Sequence, residues 1–249
     1  MIKTSLTSRN SKVFTAWLKK FSVISNEGIL EINYNKNIFE MKNVNTDKSV
    51  IKSSNLSFQA AEFVTTESDG YIRAGIRVLP KLAKMVDNFN GEDFNMIIEC
   101  EDSEPNEASI ITLSNKSLKI KLNCASLSTI KFISNDTFEN SVAVTDDPYT
   151  FTLSNTVINE IKSVSTFDND NIYIMFDKKE DVFVVKGGSF ELIIDDDVKT
   201  SELRNIYISK EQFSQLDIES YAVEMGEDRM VFRSLDSNTT TVIAKYDMD

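Results

Sequence analysis

One supersecondary order, strand–helix–strand–strand–strand, runs four times along this chain, and that repetition limits the fold more than composition does. The second copy is the plainest. Tyr71–Val78 (YIRAGIRV) reads as a strand and VLPKLAKMVDNF, residues 78–89, as the helix that follows. Leu82, Met85, Val86 and Phe89 fall at i, i+3, i+4 and i+7, while Lys81, Lys84 and Asn88 take the opposite side. Pro80 sits near the start, where a missing N–H does least harm. Three alternating segments follow: Phe94–Cys100, Ala108–Leu113 and Ser117–Asn123, the first two separated by the polar EDSEPNE, read as a hairpin loop.

The other copies keep the same order. Near the N-terminus a segment around Ile2–Leu6 precedes a helix over Ser11–Ile24, then strands at Gly28–Tyr34, Ile38–Lys42 and Ser49–Ser53. The third copy runs from Tyr149–Leu153 through a helix over Ser154–Ser165, N-capped by Ser154, to Asn171–Phe176, Asp181–Lys186 and Ser189–Ile194, the last two joined by a Gly187-Gly188 hairpin turn. The fourth has Asn205–Ile208, a helix over Lys210–Leu216, and strands at Ser220–Met225, Met230–Ser234 and Thr240–Tyr246. The expected architecture is α+β, with two domains of two βαβββ units each: residues 1–125 and 149–249. Between them, residues 126–148 show no helical period and read as a connector.

Composition removes several functions. The chain has 249 residues and no histidine, which excludes histidine-based triads, histidine general bases and most zinc sites. No phosphate-binding glycine loop, nucleophile elbow or calcium loop occurs, so the expectation is a non-enzyme without cofactor or metal. The run Asp195-Asp196-Asp197 reads as a solvated turn, and Gly187-Gly188 lacks the following helix that phosphate binding would use. Cys100 and Cys124 lie in strand-like runs as buried free thiols. With no apolar leader in MIKTSLTSRN and no long apolar run, the expected setting is the cytoplasm, of a host cell if the abundant Asn, Lys and Ile reflect a viral genome.

Two stretches carry a family likeness. RAGIRVLPKLAKMVDNFNGEDF and ESYAVEMGEDRMVFRSLDSNTTTVIAKYD, with the order of elements over nearly the whole chain, resemble the DNA polymerase sliding clamps, above all the two-domain type of bacteriophages, archaea and eukaryotes. The long Phe58–Asp69 segment and the weak first strand depart from that pattern. The resemblance implies a homotrimeric ring, helices lining the hole and sheets outside. It would encircle duplex DNA without reading its sequence, tether a DNA polymerase as processivity factor and be opened by a clamp loader. It further implies a subunit interface between Leu118, Ile120 and Leu122 of one copy and Phe190, Leu192 and Ile194 of the next, although both runs read equally as internal strands. A client-peptide pocket would involve Ile130, Phe132, Ala244 and Tyr246, which could instead anchor the connector and close the second sheet.

Charge bears on the same reading. The predicted helices hold Lys12, Lys19, Lys20, Lys81, Lys84, Lys162 and Lys210 against Asp87, Glu160 and Glu211, a balance of +4 in a chain of net charge −12. In a clamp these seven lysines would face the phosphate backbone. A lysine face is also an ordinary solubility device. The competing readings are a β-rich, ring-forming phage structural protein such as a tail component, and a carboxylate enzyme, for which no converging acidic pair is evident.

Overall fold

The computed structural model describes residues 2–65, 67, 70–144, 148–167, 173–179, 182–195 and 205–246. The chain divides into two compact units, residues 1–44 with 53–133, and residues 45–52 with 134–249. The first repeat is β1 (Ile2–Ser8), α1 (Ser11–Ser22), β2 (Gly28–Asn33), β3 (Ile38–Val44) and β4 (Val50–Ser57), all in the first unit except residues 50–52 of β4, which are counted with the second unit. A short β5 (Phe63–Thr65) separates it from the second, β6 (Tyr71–Ile76), α2 (Leu79–Asp87), β7 (Phe94–Glu101), β8 (Glu104–Ser114) and β9 (Lys119–Asn123). In the second unit a helix α3 (Asn135–Val142) precedes β10 (Tyr149–Leu153), α4 (Asn155–Phe167), β11 (Tyr173–Lys179), β12 (Val182–Lys186) and β13 (Glu191–Asp195). The fourth repeat is β14 (Ile206–Ser209), α5 (Lys210–Ser214), β15 (Tyr221–Met225), β16 (Arg229–Ser234) and β17 (Thr239–Ala244).

Within each unit the repeats exchange their first strands. β1 pairs along its whole length with β7 of the second repeat, Ile2 opposite Cys100 and Ser8 opposite Phe94. β6 in turn pairs with β2 of the first repeat, Gly28 opposite Ile76 and Asn33 opposite Tyr71. The second unit repeats the device, β10 with β15 and β14 with β11. One repeat therefore cannot complete its own sheet, and two make the smallest closed unit.

Helices cover the inner faces. Phe14, Trp17, Leu18 and Phe21 of α1 are buried as their spacing requires, with Phe14 in ring contact with Phe39 at 4.7 Å and Phe63 at 5.2 Å. Trp17 satisfies its indole N–H on Ser54 Oγ at 3.1 Å. On α2, Leu79, Leu82, Ala83, Met85 and Val86 are buried, and Phe89 stacks on Phe94 at 5.0 Å just beyond it. In the second unit Phe151, Phe176, Phe183 and Phe213 form a ring-contact chain, and Ser154 Oγ caps α4 by accepting the Val157 N–H. Cys100 is a buried free thiol and Cys124 a half-buried one.

Several elements differ from expectation. EDSEPNE is mostly strand: Glu101 pairs with Glu104, leaving only residues 102 and 103 to turn, because ladder hydrogen bonds hold polar residues as well as apolar ones. Residues 126–148 contain a 3₁₀ turn at Leu127–Thr129 and helix α3, capped by Ser134 Oγ on the Thr137 N–H at 3.1 Å. Only Phe138 and Val142 of α3 are buried, too few to print a period. Gly187-Gly188 belongs to a longer turn closed by Gly187 N–H donating to Phe190 O, so Phe190 lies in the turn and not in β13. Of Asp195–Asp197, only the backbone of Asp195, the last residue of β13, is within the described residues.

Leu6, fully buried on β1, belongs to the first repeat but sits in the second repeat's sheet. Leu6→Ala should cost about 3 kcal/mol, and amide exchange should accelerate in β2 and β7 together; acceleration in one repeat alone would contradict the interlock. Glu31 stands directly opposite Glu40 and Arg73 across its neighbouring strands. Burial raises its pKa, with Lys42 and Arg73 opposing and Glu40 reinforcing. A raised carboxyl destabilises the fold once ionised, and the penalty vanishes as pH falls through the folded pKa. Glu31→Gln should thus raise Tm at about pH 7 and lose that advantage near about pH 4.

Candidate nucleic-acid interface and peptide cavity

In the first unit α1 and α2 pack side by side. Gly91, just after α2, has φ +84° and donates its N–H to Ser11 Oγ at 2.8 Å, tying the start of α1 to the end of the α2 segment. The apolar stripes face inward, so the outward surface carries Lys12, Lys19, Lys81 and Lys84, all exposed, with Lys20 half-buried. Lys19 Nζ lies 3.3 Å from Asp87 Oδ2, but with side chains 57% and 56% exposed this bridge is screened and worth little. Lys19, Lys20 and Lys84 also occupy last helical turns, where cations offset the helix dipole. Lys12, Lys81 and Lys84 make no ion pair with a described residue.

Arg77 and Lys121 extend this surface. With Lys81, Val78, Leu122 and Cys124 they line a cavity of about 410 Å³ containing three cations and no carboxylate. Lys81 and Leu122, assigned to different roles by sequence, thus meet at one place. Arg77 and Lys121 gave no sequence signal of this kind because neither lies on a helical face: Arg77 follows β6, and Lys121 is the middle residue of β9. Burial pushes the Cys124 thiol up to about 12, with Cys100 and Glu107 adding to it, so it is protonated and inert.

The helices of the second unit are different. Lys162 is half-buried, and its ammonium donates to the carbonyls of Ser214, at 2.9 Å, and Leu216, closing the end of α5. Burial lowers its pKa; nearby Asp217 opposes the shift and Lys52 adds to it. Lys52 is fully buried beside it, bonded to Gln215 O at 2.8 Å and Asp217 Oδ2 at 3.1 Å. Lys210 is half-buried at the first position of α5.

The apolar candidates also separate. Leu118, Ile120 and Leu122 are half-buried on or beside β9, whose only described partner is β8. Leu192 and Ile194 are half-buried on β13, which ends its sheet beyond β12. Both strands are therefore sheet edges among the described residues, and Phe190 is half-buried in the turn before β13. Ala244 lines a cavity of about 160 Å³ with Ile51 and Val242, rimmed by Lys48, Asp228 and Arg229. Arg229 Nη1 reaches from that rim to the carbonyls of Asn140 and Ser141 at the end of α3. Tyr246 is half-buried and donates its N–H to Tyr207 O.

Ile130 is buried in the first unit, and Phe132, two residues on, is 57% exposed. The stretch around Ile130 is stapled down by Ala125 N–H to Gly75 O, Leu127 N–H to Glu107 Oε1, Arg77 to Thr129 Oγ1 and Lys131 N–H to Glu27 Oε1. Gly75 makes this possible: a Cβ there would stand 2.3 Å from Ala125 O and 3.3 Å from Ile130 Cγ1.

Four βαβββ repeats interlocked in pairs, with a stapled segment between them, define a class of protein: this chain has the sliding-clamp fold. It is similar to proliferating cellular nuclear antigen from Entamoeba histolytica, with TM-score 0.71 at 12% identity over 99% of this chain and 100% of that one. A. fulgidus PCNA, solved with the C-terminal region of FEN-1 bound, gives 0.68 at 10% identity with the same coverage. The Helicobacter pylori beta clamp bound to DNA ligase peptide gives 0.68 at 10% identity, over 100% of this chain and 67% of that one. At such identities the likeness is one of fold. No protein-family model matches the sequence, and no curated protein matches it.

The Gly75 contact is testable. Gly75→Ala should release the stapled stretch and make residues 126–133 several-fold more sensitive to limited proteolysis, with far-UV circular dichroism unchanged. Unaltered cleavage would show that the segment is held elsewhere.

Proposed function

We propose that this chain is a DNA sliding clamp: three copies close head to tail into a ring, duplex DNA runs through the hole, and a replicative DNA polymerase is tethered to the rim. The observation that carries this reading is the exposed lysine face of α1 and α2 on a clamp fold whose chain is otherwise strongly acidic. Lysines at the phosphate backbone attract DNA through counterion release and read no bases, so the energy stays nearly level from one base pair to the next. The acidic remainder disfavours DNA elsewhere, and screening over roughly 8 Å confines the attraction to an enclosed bore.

Ring closure would join β9 of one copy to β13 of the next. Unpaired edges expose ladder donors and acceptors, and the half-buried Leu118, Ile120, Leu122, Leu192 and Ile194 would lose their remaining exposure in the joint. Four repeats per chain give twelve in three copies. Clients would dock by short apolar peptides, with Ala244, Ile51 and Val242 offering one apolar wall and Phe132 an exposed anchor. The sequence holds no nucleotide-binding loop, so loading onto closed DNA falls to a separate clamp loader. Tethering acts through effective concentration: a ring that cannot leave keeps its client beside the template.

Topology supplies the test. Linear duplex with free ends should be threaded without a loader, and retention should disappear when both ends are blocked before the protein is added. Blocking them afterwards should trap it. Equal binding to blocked and open DNA, or a monomer by sedimentation at micromolar concentration, would refute the ring.

A further inference from the structure

We infer that DNA in the bore is held by the helix pair of the first unit alone, the helices of the second unit contributing an uncharged or repelling wall. This rests on the clamp reading and adds a division of labour within each copy. The exposed basic side chains of α1 and α2 are Lys12, Lys19, Lys81 and Lys84, against one exposed carboxylate, Asp87, already paired to Lys19. On α4 and α5 no exposed described residue is basic. The exposed side chains of α4 include Asn155, Thr156, Asn159 and Ser163, and those that carry charge on the two helices, Glu160 and Glu211, are acidic.

Two lysines lie on these helices, both half-buried: Lys210 at the first position of α5, beside the exposed Glu211, and Lys162, the one lysine inside α4. Its ammonium is spent on the Ser214 and Leu216 carbonyls, beside a second lysine, Lys52, that is wholly buried on Gln215 O and Asp217. A lysine donating to two main-chain oxygens would have to break both bonds to reach a phosphate, and α5 would lose the cation that closes its carbonyl end. Lys162 is a positioning residue for α5. Its neighbours Asn159 and Ser163 can donate single neutral hydrogen bonds to phosphate oxygens but release no counterions. The attractive force on the duplex therefore has its source on one half of each copy, the half that carries α1 and α2.

The affinity of the intact protein for a short open-ended duplex, measured by fluorescence anisotropy across a salt series, tests this. Lys12→Ala, Lys81→Ala and Lys84→Ala combined should weaken binding at least tenfold at low salt and flatten the log–log salt slope by about 3 to 8, since each phosphate contact contributes about 0.9 and three copies carry nine of these lysines. Lys162→Met should lower Tm yet leave affinity and slope unchanged. Asn159→Asp with Ser163→Asp, both exposed and so harmless to folding, should change affinity less than threefold, whereas Lys84→Asp should cost more than that by itself. A loss from the α4 acidic pair equal to that from Lys84→Asp, or a flattened slope in Lys162→Met, would overturn the division while leaving the clamp standing. Wild-type protein that fails to bind open-ended duplex at all would overturn the clamp reading itself.

Discussion

The interlocked first strands are the constraint on which the rest depends. A βαβββ repeat that kept its own first strand would be a self-sufficient sheet with a helix on it, and two such repeats would need only an ordinary surface to associate. Here β1 and β6 lie in each other's sheets, so the ladder hydrogen bonds of one repeat are made with the backbone of the other. Two repeats must fold together, and the helix that follows each exchanged strand is delivered beside its counterpart. The adjacency of α1 and α2, and with it the shared lysine surface, is a consequence of strand pairing and not of helix–helix attraction between two faces that are both cationic outside.

That delivery explains why one helix pair can be rich in lysine without instability. Exposed like charges cost little when solvent screens them, and lysines in the last helical turn are favoured by the dipole. The inner stripes of Phe, Trp, Leu and Met supply the stabilisation, with buried side chains worth roughly 1.5–3 kcal/mol each. The second unit has the same topology and uses its lysines inward, Lys52 and Lys162 converging on the end of α5, where carbonyls left without helical partners need donors. One fold therefore carries two electrostatic solutions, an outward one and an inward one.

Sequence shows the first of these and hides the second. Helical spacing at Leu82, Met85, Val86 and Phe89, or alternation at Phe94–Cys100, reports which side is buried, because local geometry sets the period. Who pairs with whom is non-local, so the exchange of β1 and β6 leaves no trace in the periodicity. Nor does the fate of Lys162: opposite Val157, Ile158 and Ile161 it reads as an outward cation, and only the arrival of α5 turns it into a cap. The small elements were hidden for a related reason, β5 by its three residues and α3 by having only Phe138 and Val142 to bury. Gly75 was visible as a letter but not as a need, since the carbonyl it admits lies fifty residues away at Ala125.

The same distinction explains how a fold can persist with so few shared residues. Alternating strands accept Ile, Val, Phe, Met or Leu on the inner side almost interchangeably, provided volume and pattern are kept. The proposed work is equally tolerant. A surface that attracts phosphates needs positive charge within a screening length, not one side chain in one geometry, and a ring that slides gains from contacts that no base pair can deepen. Enzymes fix residues because reacting atoms must be placed to fractions of an ångström. A tether would ask only for closure and a smooth wall, demands that pattern and charge can meet without fixing particular residues.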